Sequence, residues 1–387
     1  MNQRMRVTQT ILACYVALLP ACGGSGTGRT TLFDAGYSVG SIDAGAVAQD
    51  TGSGSDTDAL SPWQAVEKLF LTRSAEAGVA DLGLSIWNRK DQRIFERMLG
   101  TFTSDTRVAI ASASKLVAGL VLFDVIRGGR LTLDSTTGQA LGVIGAGSAI
   151  TLRHLLSFTS GLPKEAACTL VSTTTTAACA DRIARETLVA PPGTLFEYGS
   201  THLQVAARMA EVATGMTWSQ LYDKTLRLPL GLSSEVIYYT RPRQAEGITN
   251  PLIAGGLRAS MNDYRGFLAL AFHKGTFGNV TVGTPALFDE QAHEPFPNVP
   301  IGSTPTEVYR YGLASWLLCD TPTEGCASLG SPGAFGFTPW YDRDAGYYAI
   351  LGMEIPHDNP DNGVVQFAIA MMGELQPLIA AAMAAEK

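Results

Sequence analysis

Apolar and polar positions along the chain change period from block to block. Trp63, Val66, Leu69 and Phe70 recur at helical spacing, so a first helix begins close to Pro62. The stretch 82–87 (LGLSIW) then alternates as a strand does. A polar turn at 88–91 and apolar positions from Ile94 to Leu99 give a second strand. The run from Leu116 to Ile126 is too long for most strands. It ends in Arg127-Gly128-Gly129, a basic last turn followed by glycine, which predicts a buried helix starting near Ser112. From 131 to about 309 the pattern is mostly helical with long loops, including helices at 203–214 and 264–272. Strands return at 334–341 and 347–354 around the turn 342–346, and a helix over roughly 364–386 closes the chain. Strands at both ends with helices between them imply an α+β fold. Its antiparallel sheet is built from both chain ends, flanked by helices, with an inserted, mainly helical lobe.

Composition changes this picture at the N-terminus. Arg4 and Arg6 precede an apolar segment from Ile11 to Leu19, too short to span a bilayer but suited to a secretion signal. Leu19-Pro20-Ala21-Cys22 resembles a bacterial lipobox, after which Cys22 would carry lipid, with Pro20 unusual and plain cleavage near Ala21 the alternative. Residues 1–22 therefore read as a signal peptide with a lipobox. Residues 23–61, rich in Gly, Ser, Thr, Ala and Asp, read as a flexible tether that cannot bury enough apolar surface to offset its ordering entropy. The folded domain is 62–387. Net charge is −7, and loss of Arg4 and Arg6 takes it to −9. No basic stripe with interleaved aromatics is present, which argues against nucleic acid as a partner. Any membrane contact would run through the lipid alone. Four cysteines remain beyond the lipobox, in two close pairs. In an exported chain these read as disulfides, Cys168 with Cys179 and Cys319 with Cys326, with buried free thiols the alternative. Neither pair has zinc-ligand spacing with a nearby histidine, and the five histidines are scattered, so no metal site is expected.

Candidate chemistry centres on Ser112 and Lys115. One turn apart at a helix start, the two side chains are neighbours. A hydroxyl needs an adjacent base and donors for the oxyanion formed when it attacks a carbonyl, and a lysine removed from water can be that base. On spacing alone, a capping serine and a lysine reaching the surface explain the pair as well. A second serine motif, Gly36-Tyr37-Ser38-Val39-Gly40, matches G-x-S-x-G but has linker on both sides instead of a strand and a helix, and is set aside. Further on, the turn-rich stretch from Pro191 leads to Tyr198-Gly199-Ser200. The segment GSPGAFGF (330–337) reads as a glycine-rich entry into a strand, where a ligand can approach the backbone closely.

These pieces, in this order on this plan, resemble the serine β-lactamase and penicillin-binding-protein superfamily, in particular its class C-like hydrolases and esterases. The resemblance runs from about Pro62 to the C-terminus. It includes ITLRHLLSFTSGLP (150–163) and the segment Ala254-Gly255-Gly256-Leu257. It implies that Ser112 is the acylated nucleophile, Lys115 its base or base partner, and Tyr198 the group that passes a proton to the leaving group. It implies an oxyanion hole from the N–H groups of Ser112 and Ala334, with Gly333, Ser331 and Ser200 lining the substrate side, and no cofactor. Three departures matter. Ser200 stands where β-lactamases have an asparagine, Ser331 stands where the third motif has lysine or histidine, and Phe158 replaces the usual histidine. Loss of the cation at 331 removes the main handle for anionic β-lactams and D-Ala-D-Ala termini. The expected activity is therefore acyl-enzyme hydrolysis of small esters or amides by an exported, lipid-anchored enzyme, periplasmic or at the cell surface. A β-lactamase or D-Ala-D-Ala carboxypeptidase is one alternative; a catalytically weak ligand-binding or sensor domain is another.

Overall fold

A computed structural model describes residues 60–306, 309–355 and 363–386. Cys22, the signal segment and the G-x-S-x-G match lie outside the described residues, as does all but the end of the tether. Helix α1 (Pro62–Glu76) opens with a capping box, in which the Ser61 hydroxyl accepts the Gln64 N–H and the Gln64 side chain accepts the Ser61 N–H. Strands β1 (Leu82–Asn88) and β2 (Arg93–Leu99) follow as an antiparallel pair.

The sheet is completed from the other end of the chain by β3 (Arg310–Tyr311), β4 (Trp316–Leu317), β5 (Ser328–Gly330), β6 (Thr338–Asp342) and β7 (Tyr347–Gly352). Its seven strands run in the order β2-β1-β7-β6-β5-β4-β3, and every pairing is antiparallel. The two termini meet at β1 and β7, where Gly83 faces Gly352 and Trp87 stacks on Tyr348 at 5.4 Å. The larger helices are α2 (Ser114–Arg127), α3 (Thr201–Thr214), α4 (Met261–Phe272) and α5 (Val364–Ala385). Helices α4 and α5 both pack on β6 and β7, and α5 also packs along α1, tied to it by the Arg73–Glu374 ion pair at 2.7 Å. With helices on it, β1 is buried from Leu82 to Trp87, small and large residues alike. Its alternation of large and small side chains is therefore a packing pattern, not an inside–outside one.

Two local expectations need correction. Ser112 does not open the α-helix; it lies in a 3₁₀ turn (Ala111–Ala113) that feeds α2. Ala334 does not begin a strand. Gly336 adopts φ +99°, and Gly333 closes a turn by donating its N–H to the Phe337 carbonyl at 2.8 Å, so β6 starts only at Thr338. Strands β3, β4 and β5 are two or three residues long, below the length at which alternation can be read. The cysteine pairs are joined as expected, Cys168 to Cys179 and Cys319 to Cys326, with Cα separations of 5.5 and 5.7 Å.

Candidate active site

Five hydrogen bonds from distant segments hold the turn that carries Ser112. Ile110 donates its N–H to the Leu257 carbonyl (3.1 Å), and the Leu257 N–H returns to the Ser114 hydroxyl (3.1 Å). Buried Tyr264 and Tyr238 donate their hydroxyls to the Ala113 and Ser114 carbonyls, at 2.8 and 3.0 Å. The Ser331 hydroxyl donates to the Ser112 carbonyl at 3.0 Å. Burial pushes the pKa of both tyrosines well above the usual phenol value, which keeps them donors. So held, Ala111 keeps φ at +44°, a conformation that alanine adopts only when its surroundings impose it.

Lys115 follows one turn later. Its Nζ is almost wholly buried (4% exposed for the residue), yet it lies 2.9 Å from the Ser112 Oγ and 2.9 Å from the Ala254 carbonyl. The Ala254-Gly255-Gly256 segment thus orients the lysine. A short ladder between Val108–Ala109 and Arg258–Ala259 carries that segment alongside the nucleophile turn.

The Tyr198 ring lies under the end of the Lys115 side chain, 4.6 Å from Nζ to the ring centroid. Its backbone is set by the pairing of Phe196–Glu197 with Ile301–Ser303 and by its own N–H on the Ser303 carbonyl (2.9 Å). Its ring is wedged among aromatics, edge-on to Phe158 at 5.2 Å and tilted on Trp316 at 5.1 Å, with Tyr311 behind. Phe158, at φ +57°, stacks on Tyr311 at 4.8 Å and accepts the Glu197 N–H on its carbonyl. The residue that replaces the family's histidine is therefore part of the wall that fixes Tyr198. Next to it, His202 is fully buried, with Nδ1 2.8 Å from the Ser160 hydroxyl; burial pulls its pKa down to about 4.

The remaining expected residues take different places. Ser200 is buried at the cleft, its hydroxyl donating to the Glu165 carboxylate. Gly333 presses on the start of the Ser112 turn; a Cβ there would stand 2.3 Å from the Ile110 carbonyl oxygen, so a larger residue would force the two segments apart. Ser331 is 2% exposed and turned onto the Ser112 carbonyl, away from the cleft. Ser112, Lys115, Tyr198 and Ser200 line one cleft of about 360 Å³. Arg241, Arg243, Glu165 and Phe335 line it too, none of them singled out in the sequence. The pair of arginines flanking Pro242, just ahead of the Ala254 segment, was the available signal.

This arrangement can activate a serine hydroxyl and hold a small acyl substrate over it. Residues 68–370 match the family model described as Beta-lactamase. A stretch of 149 residues is 28% identical to penicillin-binding protein 4 of Amycolatopsis lactamdurans, covering 37% of this chain and 38% of that protein. Among solved structures, a β-lactamase-assigned protein from Bacteroides dorei is 25% identical with a TM-score of 0.66, covering 80% of this chain and 98% of that one. EstCE1, described as a hydrolase with promiscuous acyltransferase activity, shares the fold at 18% identity and TM-score 0.59, over 83% of this chain and 98% of its own. The simvastatin synthase LovD of Aspergillus terreus does so at 17% identity and TM-score 0.58, over 82% and 100%. With the family model spanning most of the chain and the serine, lysine and tyrosine brought to one cleft, this chain belongs to the Beta-lactamase family.

Proposed function

We propose that this protein is a serine hydrolase that cleaves small carboxylic esters or amides through an acyl-enzyme. The observation that carries the reading is the 2.9 Å approach of the buried Lys115 Nζ to the Ser112 Oγ, with the Tyr198 ring against the same nitrogen. In the acylation step Lys115, as a neutral amine, accepts the Ser112 proton as the Oγ attacks the substrate carbonyl. The tetrahedral oxyanion forms between the N–H groups of Ser112 and Ala334. Collapse breaks the bond to the leaving group, which takes a proton by way of Tyr198. Water then attacks the acyl carbon, and Ser112 recovers its proton as the acid departs.

Two features favour esters and small amides over β-lactams. Position 331 carries no charge, and its hydroxyl is committed to the Ser112 carbonyl. Disulfides fit an exported protein, and we extend the reading to a lipid-anchored one through Cys22. The reading is tested with a fluorophosphonate probe and p-nitrophenyl butyrate. Ser112 should be the labelled residue, Ser112→Ala should lose both labelling and turnover, and the ester should be cleaved at least about ten-fold faster than nitrocefin. An unlabelled Ser112 with no ester turnover would leave the weak binding or sensor domain as the better description.

A further inference from the structure

Resting on that hydrolase reading, we infer that the cleft selects substrates bearing a carboxylate, and that Arg243 is the residue that holds it. The family's cation at position 331 is absent, yet the cleft is not without positive charge. Arg241 and Arg243 both line it, opposite Glu165. Arg243 stacks on the Phe335 ring, Cζ 5.4 Å from the centroid. Phe335 is the neighbour of Ala334, so the guanidinium stands on the side of the cleft where the third motif runs.

Its position is built, not incidental. The intervening Pro242 is buried, and its carbonyl accepts a 2.9 Å hydrogen bond from Arg258. Arg258 belongs to the short ladder that pairs with Val108–Ala109, immediately before the nucleophile turn. Arg241 and Glu246 exchange backbone hydrogen bonds at 3.0 and 3.2 Å, closing the loop at its base. The scaffold that places Ser112 therefore also places Arg243.

The charges facing Arg243 leave it able to take a ligand. Glu354 lies 3.8 Å from its Nε, longer than a hydrogen bond, and is itself held by the Ala109 N–H at 3.3 Å. Arg241 leans on Glu246 at 3.5 Å and on the Leu170 carbonyl, and Glu165 takes the Ser200 hydroxyl. Arg243 has five N–H donors, and this one long contact leaves the paired terminal nitrogens, the geometry that grips a carboxylate in two places. Its side chain is 32% exposed, enough to meet a substrate and enough for salt to screen it.

The test is an isosteric pair, 3-acetoxybenzoate and 3-acetoxybenzamide, which differ in the charge of the leaving group. Wild-type protein should favour the carboxylate by about ten-fold in kcat/KM, and the preference should shrink as salt rises. Arg243→Gln should abolish the preference, and Arg243→Lys should keep part of it. Equal rates on the two esters in the wild type, or a preference that survives Arg243→Gln, would overturn the assignment. Calorimetric binding of 3-hydroxybenzoate against 3-hydroxybenzamide to Ser112→Ala separates this idea from the hydrolase reading. Arg243-dependent binding of the benzoate with no ester turnover in the wild type would remove the hydrolase and keep the carboxylate site. Turnover without charge preference would do the reverse.

Discussion

Tyr198 shows how much of a proposed proton relay is set by what surrounds it. Its ring is clamped by Phe158 and Trp316 and meets the Lys115 Nζ with its face, so removal of the hydroxyl alone leaves the packing in place. Tyr198→Phe should therefore lower hydrolysis of p-nitrophenyl butyrate by about 10²- to 10⁴-fold with little change in Tm, read by steady-state kinetics and calorimetry on the same samples. Near-wild-type turnover would take Tyr198 out of the mechanism. His202 makes a different prediction. Its folded pKa is about 4 against an ordinary 6.5 because burial disfavours the charged ring. The unfolded chain takes up that proton as pH falls below about 6.5 while the folded protein does not, so stability is lost from there down to about pH 4. The slope is about 1.4 kcal/mol per pH unit over the middle of that window. Urea unfolding at pH 7 and pH 5 should show a loss that is smaller by about 1–2 kcal/mol in His202→Gln, and equal losses would mean the ring titrates alike in the folded and unfolded chain.

Where segments meet, backbone approach matters more than side-chain identity. Gly333 joins the exit of β5 to the nucleophile turn, and its missing Cβ is what allows the contact. Gly333→Ala would push the Ala334 amide away from Ser112 by a few tenths of an ångström or more. The expected result is a fall in kcat of at least about ten-fold with KM little changed, because an oxyanion donor acts on the transition state. A variant with unaltered kcat would show that Ala334 does not serve the oxyanion. The disulfides work at the same level. Each closes a short loop, with sequence separations of 11 and 7, and lies outside the cleft's catalytic trio. In the chain-entropy model each bridge is worth about 2.5–3 kcal/mol. Reduction should lower Tm measurably and leave the fold intact, and four alkylatable thiols in unreduced exported protein would show that the bridges do not form in the cell.

At the scale of the whole molecule, the proposed lipid anchor and the proposed cleft chemistry are tested separately. Two or more acyl chains give stable membrane attachment, so wild-type protein should sediment with membranes and Cys22→Ala should not. Equal solubility of both would dismiss the lipobox. The mixed α+β plan, α2, the two termini of the sheet and the cysteine pairs were legible along the chain, because period, length and capping are local properties. So were Ser112 and Lys115, whose i, i+3 spacing brings them together on any helical turn. Sequence order could place Tyr198 and Gly333 near them only through a resemblance, since nothing local dictates the meeting. Three things depended on the tertiary structure. Position 331 turned its hydroxyl inward onto Ser112, because a buried serine must find an acceptor and the nearest one is that carbonyl. Strands of two or three residues joined the sheet because their neighbours, not their own pattern, supply the hydrogen bonds. Arg243 reached the cleft because a buried proline and a ladder from another segment hold its loop there, a convergence of distant parts that no periodicity records.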